Sequence, residues 1–133
     1  MILLDTHVLV WLDEGNSRLG AQSRDMIDMA LSQERLSVSA ISFWEIAMLV
    51  EKKRLEIKMD LQVWRRELLE TGLQEITMHG FLGIQVANLP DFHGDPADRI
   101  IVSSALANSA TLITADEKIL AWQGLSYKQN ARV

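Results

Sequence analysis

Short apolar runs recur along this chain, and between them lie longer stretches whose apolar positions return every three or four residues. Ile2–Asp5, Leu36–Ala40, Glu75–Met78 and Thr111–Thr114 read as strands, with Leu125–Tyr127 a fainter fifth. Helical spacing covers Ser17–Gln33, Ile41–Arg54, Leu61–Thr71, Gly80–Asn88, Ala97–Asn108 and Glu117–Trp122. Strands that alternate with helices predict parallel pairing through right-handed crossovers. The expected fold is therefore α/β, a central parallel sheet of about five strands with helices on both faces. Sheets of this kind place their sites at the carboxyl ends of the strands. No repeat, low-complexity tract or linker interrupts the pattern, so residues 1–133 read as a single domain.

Composition narrows the chemistry. With 133 residues, 48% of them hydrophobic, the chain can bury a sizeable core. The longest uncharged stretch, Ile100–Ala115, is shorter than the ~20 residues of a membrane span and is broken by Asn108 and several Ser and Thr. The opening Met1-Ile2-Leu3-Leu4-Asp5 has no basic region of a signal peptide, and a cytoplasmic protein is expected. There is no Cys, which excludes disulfides, zinc–thiolate sites and thiol nucleophiles. Eighteen acidic against 13 basic residues give a net charge of −5, which disfavours a module that grips nucleic acid by overall positive charge. An enzyme that meets phosphates through bound cations is still compatible, because the ions reverse the local sign.

Several carboxylates stand where a folded chain should not want them. Asp5 closes the first apolar run, where it can cap a helix that follows, its first turn beginning at Thr6-His7-Val8, or face a site. At 3.6 residues per turn, Glu45 falls between Ile41 and Leu49 with Trp44 and Met48 alongside. A carboxylate in such a stripe either reaches past its neighbours to solvent or meets a cation or donors. In Asp95-Pro96-Ala97-Asp98-Arg99, Asp95 has the position of an N-cap and Pro96 that of the first helical residue. Asp98 lies in the first turn on the face of Ile101, Val102 and Ala105, and so projects inward. Asp116 follows the strand Thr111–Thr114 and again suits an N-cap. Asp5, Glu45, Asp98 and Asp116 would nonetheless share one end of the sheet. Like charges gathered there call for a divalent cation, and an all-oxygen set suits Mg²⁺ or Mn²⁺.

In order, Leu3-Leu4-Asp5-Thr6-His7, Ser39-Ala40-Ile41-Ser42-Phe43-Trp44-Glu45-Ile46, His93-Gly94-Asp95-Pro96-Ala97-Asp98-Arg99-Ile100-Ile101 and Leu112-Ile113-Thr114-Ala115-Asp116 resemble the PIN-domain ribonucleases, above all the VapC-type toxins of toxin–antitoxin pairs. The likeness spans essentially the whole chain. It implies a PIN-like fold and a Mg²⁺- or Mn²⁺-dependent endoribonuclease. The family's acidic quartet falls on Asp5, Glu45, Asp98 and Asp116, which would be both catalytic and metal-binding. Thr6, Thr114 and Asp95 would support the site. The resemblance also implies an RNA substrate, a cognate antitoxin whose basic segment could place a cation among the acids, and a homodimer.

The remaining residues have plainer readings. His7 and His93 suit packing or hydrogen bonding, and Trp11, Trp44, Trp64 and Trp122 suit core or interface. Lys52-Lys53-Arg54, Lys58, Arg65 and Arg66 read as solvated surface. Ile46 and Val50 lie to one side of Glu45, and the excess apolar surface there predicts an interface, burial by another helix being the alternative. Two other function classes compete with the nuclease. A phosphate-accepting receiver domain would share the α/β pattern and an acid cluster, but lacks a place for Glu45. A non-catalytic RNA-binding module would need basic or aromatic stripes that this chain does not show.

Overall fold

The computed structural model describes all residues, 1–133. Strand β1 (Ile2–Leu4) leads into α1 (Thr6–Glu14) and α2 (Ala21–Ser32), followed by β2 (Leu36–Ser39), α3 (Ala40–Glu51), α4 (Leu61–Glu70) and β3 (Gln74–Ile76). The second half runs α5 (Gly80–Val86), α6 (Pro96–Ala107), β4 (Thr111–Thr114), α7 (Glu117–Ala121) and β5 (Lys128–Asn130). All five strands are parallel in the order β3-β2-β1-β4-β5. The expected α/β sandwich is therefore observed. The order also separates this fold from the receiver domain, whose flavodoxin-like sheet runs 2-1-3-4-5.

Because side chains alternate across a strand, the buried strand residues divide between two cores. Leu4, Leu36, Val38 and Ile113 face Leu9, Ile27, Ile46 and Trp64 of helices α1–α4. Leu3 and Leu112 face the opposite way, onto Ile101, Val102 and Ala105 of α6 and Ile119 of α7. Both faces are covered: β1 is a continuous apolar run, β4 sets Leu112-Ile113 between two threonines, and β2 alternates Leu36 and Val38 with the small, buried Ser37 and Ser39.

The chain builds β1, β2 and β3 to one side and then returns to lay β4 and β5 on the other. Adjacent strands β1 and β4 leave from their carboxyl ends in different directions, and the crevice between them is the switch point at which α/β sheets bind ligands. Leu4 pairs with Ile113, so the residues that follow both strands emerge side by side.

Three expectations need correction. The helical stretches omit the segment after Asp5, which forms the nine-residue helix α1, capped by Asp5 as that residue's position suggests and ended by Gly15 in the left-handed conformation (φ 64°). The last strand lies at Lys128–Asn130 rather than Leu125–Tyr127: Leu125 packs into the second core while Tyr127 is exposed. Finally, Ile46 is 1% exposed and Val50 packs against the same core, so this side of α3 is covered by its own chain and offers no interface. Trp44 is the large apolar side chain of α3 that faces solvent, 55% exposed. No helix is long and apolar enough to cross a membrane.

Candidate active site

Asp5, Glu45, Asp95, Asp98 and Asp116 line one cleft of about 360 Å³ at the carboxyl end of the sheet, with His7, Trp11, Ala115 and Arg132 completing its wall. Four different parts of the chain supply the acids. Asp5 ends β1 and caps α1, its Oδ1 accepting from the Thr6 N–H at 2.8 Å. Its Oδ2 accepts from the Thr114 hydroxyl at 2.6 Å, and Thr114 Oγ1 in turn accepts from the Asp116 N–H at 3.0 Å. Thr114 therefore fixes two acids at once from the end of β4. Asp5 is only 5% exposed, and both of its oxygens have donors.

Glu45 projects from α3 over the amino end of α1. The Thr6 hydroxyl donates to its Oε1, while Ser42 Oγ lies 2.8 Å from Thr6 Oγ1. Thr6 has one hydroxyl proton and a carboxylate can only accept, so the chain of donors runs from Ser42 through Thr6 to Glu45. Ser42 is fully buried, one turn before Glu45 on α3. The sequence marks it only as a small polar residue in an apolar helix.

The two later acids divide as their positions predict. Asp95 is the N-cap of α6, its Oδ1 accepting from the Asp98 N–H at 2.8 Å, with Pro96 at the first helical position. Asp98 is half-buried and its own oxygens meet no protein donor. Asp116 caps α7 through Oδ1, which accepts from the Lys118 N–H at 2.8 Å.

Three of these carboxyls are pushed upward. Burial raises Asp98 most, and Asp95, Asp5, Asp116 and Glu45 add repulsion, carrying it to about 7. Burial also raises Asp5 against the lowering effect of the Thr114 hydroxyl, and raises Glu45 against that of Thr6. The cleft thus gathers negative charge that its own groups do not compensate. As they are placed, no three His, Asp or Glu side chains stand close enough together to hold one ion between them. An all-oxygen cleft of this kind fits Mg²⁺ or Mn²⁺ better than a tightly caged ion, because Mg²⁺ keeps several waters and needs one or two carboxylates directly.

Arg132 and Trp11 were not legible as site residues. The Arg132 guanidinium lies 5.6 Å from the Trp11 ring centroid and donates through Nη1 to the Ala115 carbonyl at 2.9 Å. Of the basic residues read as surface, Arg65 is engaged: it forms a two-pronged pair with Glu75 (2.7 and 2.8 Å), whose hydrogen bonds hold the Glu75 carboxyl below its usual value. The other Lys and Arg of that group, 52–54, 58 and 66, are exposed as expected.

Comparison with known proteins agrees with this architecture. A family model described as PIN domain matches residues 2–123. Ribonuclease VapC22 of Mycobacterium tuberculosis (strain ATCC 25618 / H37Rv) is 31% identical over 119 residues, covering 89% of this chain and 88% of its own. Two solved structures superpose over 98% of both chains. They are VapBC2 from Rickettsia felis bound to a DNA fragment from its promoter (TM-score 0.72, 19% identity) and a toxin–antitoxin complex from Klebsiella pneumoniae (TM-score 0.68, 18% identity). At those identities the two structures speak for the fold.

Proposed function

The chain belongs to the PIN-domain family, and from that premise we propose that residues 1–133 act as one nuclease domain, the endoribonuclease toxin of a toxin–antitoxin pair. The observation that carries the reading is the convergence of Asp5, Glu45, Asp98 and Asp116, from four separate elements, on one cleft at the sheet's switch point. The relative's designation as a ribonuclease supports RNA as the substrate.

In this reading the four acids would hold Mg²⁺ or Mn²⁺. When bound, the ion supplies an activated water and offsets charge on the phosphodiester. The chain's own contribution is to keep the acids aimed. Thr114 holds Asp5, and Ser42 and Thr6 hold Glu45, so neither side chain must reorganise when substrate arrives. Asp98 has no protein partner to surrender and faces the cleft directly. Asp116 keeps Oδ2 available while Oδ1 caps α7. Asp95 serves mainly as the cap that sets the start of α6, and with it the direction of Asp98.

A cognate antitoxin belongs to the proposal, supported by the toxin–antitoxin complexes among the structural relatives. A basic antitoxin segment would complement the same acids and compete with the metal. A homodimer is retained, formed through a surface other than Ile46 and Val50, and so is a cytoplasmic location. The test is incubation of purified protein with end-labelled RNA and Mg²⁺ or Mn²⁺, with and without excess EDTA. Endonucleolytic products are expected with either metal and none in EDTA. Full cleavage in EDTA would overturn the metal-dependent reading.

A further inference from the structure

Arg132 is the one Arg or Lys on the wall of a cleft that holds five acids, yet it pairs with none of them: the chain's single ion pair within 4 Å is Arg65–Glu75. Its guanidinium is committed instead to a neutral carbonyl and an aromatic face, Ala115 and Trp11. Nη1 is used, while the Nη2 and Nε donors have no protein acceptor.

The backbone beneath Arg132 is fixed from both sides. The Ala131 N–H donates to the Thr114 carbonyl at 2.9 Å, and the Gly20 N–H to the Ala131 carbonyl at 2.8 Å. The Gln22 N–H reaches the Val133 carbonyl at 3.0 Å, and the Arg132 N–H the Asn130 side chain at 3.0 Å. A Cβ at position 20 would stand 2.6 Å from the Arg132 carbonyl carbon and 2.2 Å from that of Val133. Glycine there is what allows the segment to lie so close. Arg132 is thus an exposed side chain on a rigid base, aimed across the Trp11 ring at the acidic cleft.

We propose that Arg132 binds a phosphate of the RNA strand adjoining the scissile one, with Trp11 and the Ala115 carbonyl holding its guanidinium at the cleft rim. This rests on the nuclease reading given above. A planar fork with free donors matches the non-bridging oxygens of a phosphate, and its stacking on an aromatic face lowers the ordering cost of binding. The function follows from the electrostatics of the cleft. An acidic wall repels an approaching polyanion, and one anchored cation at its edge sets the register in which the strand enters.

The test measures binding and cleavage separately. Binding is read by anisotropy of a fluorescent single-stranded RNA in Mg²⁺, in an Asp98→Asn background that holds RNA without cutting it. Arg132→Gln is expected to weaken binding roughly tenfold, the scale of a charged hydrogen bond. It should also lower the slope of log affinity against log salt by about 0.7, the value for one phosphate contact on a single strand. Arg132→Lys should keep the salt slope and recover part of the affinity. With Asp98 intact, Arg132→Gln should raise KM and leave kcat nearly unchanged. Wild-type affinity, salt slope and KM in Arg132→Gln would overturn the assignment and reduce Arg132 to packing on Trp11, even if the melting temperature fell. Failure of the nuclease reading is distinguishable, because it would show as uncut RNA with the wild-type protein in Mg²⁺.

Discussion

Asp98→Asn is expected to lower RNA cleavage by at least about a hundredfold while leaving the fold intact. The two side chains are nearly isosteric, and no protein donor depends on the Asp98 oxygens. The helix start is secured by Asp95, not Asp98, so the change removes charge from the cleft without removing a cap. Asp95→Ala supplies the contrast. It deletes the acceptor of the Asp98 N–H and should cost about 0.5–2 kcal/mol of stability, with a catalytic loss of only several-fold. Initial rates on one labelled RNA, with melting temperatures for both variants, read the pair together. If Asp95→Ala lost turnover as completely as Asp98→Asn with an unchanged melting temperature, Asp95 would belong with the catalytic acids and not with the caps.

The second large effect concerns stability, pH and metal. Asp98 titrates near 7 in the folded chain, chiefly because burial and then its acidic neighbours oppose its charge, and Asp5 and Glu45 are raised in the same direction. Between the ordinary carboxylate value of about 4 and about 7, the folded state therefore holds more protons than the unfolded one, and stability falls as pH rises through that window. Metal-free protein should melt higher near pH 5 than near pH 8, and Asp98→Asn should flatten the slope and stabilise the chain at the alkaline end. Mg²⁺ acts oppositely, since it binds the ionised acids. At a hundred times its Kd it should add about 2.7 kcal/mol. The gain should be greatest above about pH 7, small near pH 5 and reduced in Asp98→Asn. Melting curves in EDTA and in Mg²⁺ across this range provide the check. Wild-type stability that rises with pH in EDTA would contradict the crowding of charge in the cleft.

How much of this was legible in the sequence depended on whether a residue's role is local. β1 and β4 carry apolar cores short enough to read as strands, so they announce themselves and the acids Asp5 and Asp116 that follow them, and β2 shows as Leu36 and Val38 set between serines. Asp95 and Pro96 form a cap that is local by nature. The extent of helix α1 was hidden because Val8-Leu9-Val10-Trp11-Leu12 is an unbroken apolar run with two β-branched residues, so it shows no three-to-four-residue spacing. β5 was misplaced because an edge strand is held by its backbone: Leu112, Ile113 and Thr114 pair with the polar Lys128, Gln129 and Asn130. That displacement also concealed Arg132, which reaches the cleft only because β5 runs alongside β4. Ile46 looked surplus to one core contact because periodicity does not reveal that it joins the same core as Trp64 of α4. Ser42 carries no signal beyond its place one turn before Glu45.

The account rests on the acids of this cleft binding a divalent cation, and diffraction from crystals soaked in Mn²⁺ reads that most directly. An anomalous peak is expected in the cleft within ligand distance of Asp98 or Asp5, with Glu45 and Asp116 ligating directly or through water, and it should disappear from Asp98→Asn crystals soaked in parallel. Saturating Mn²⁺ with no peak in this cleft, or a peak bound only elsewhere on the surface, would contradict it.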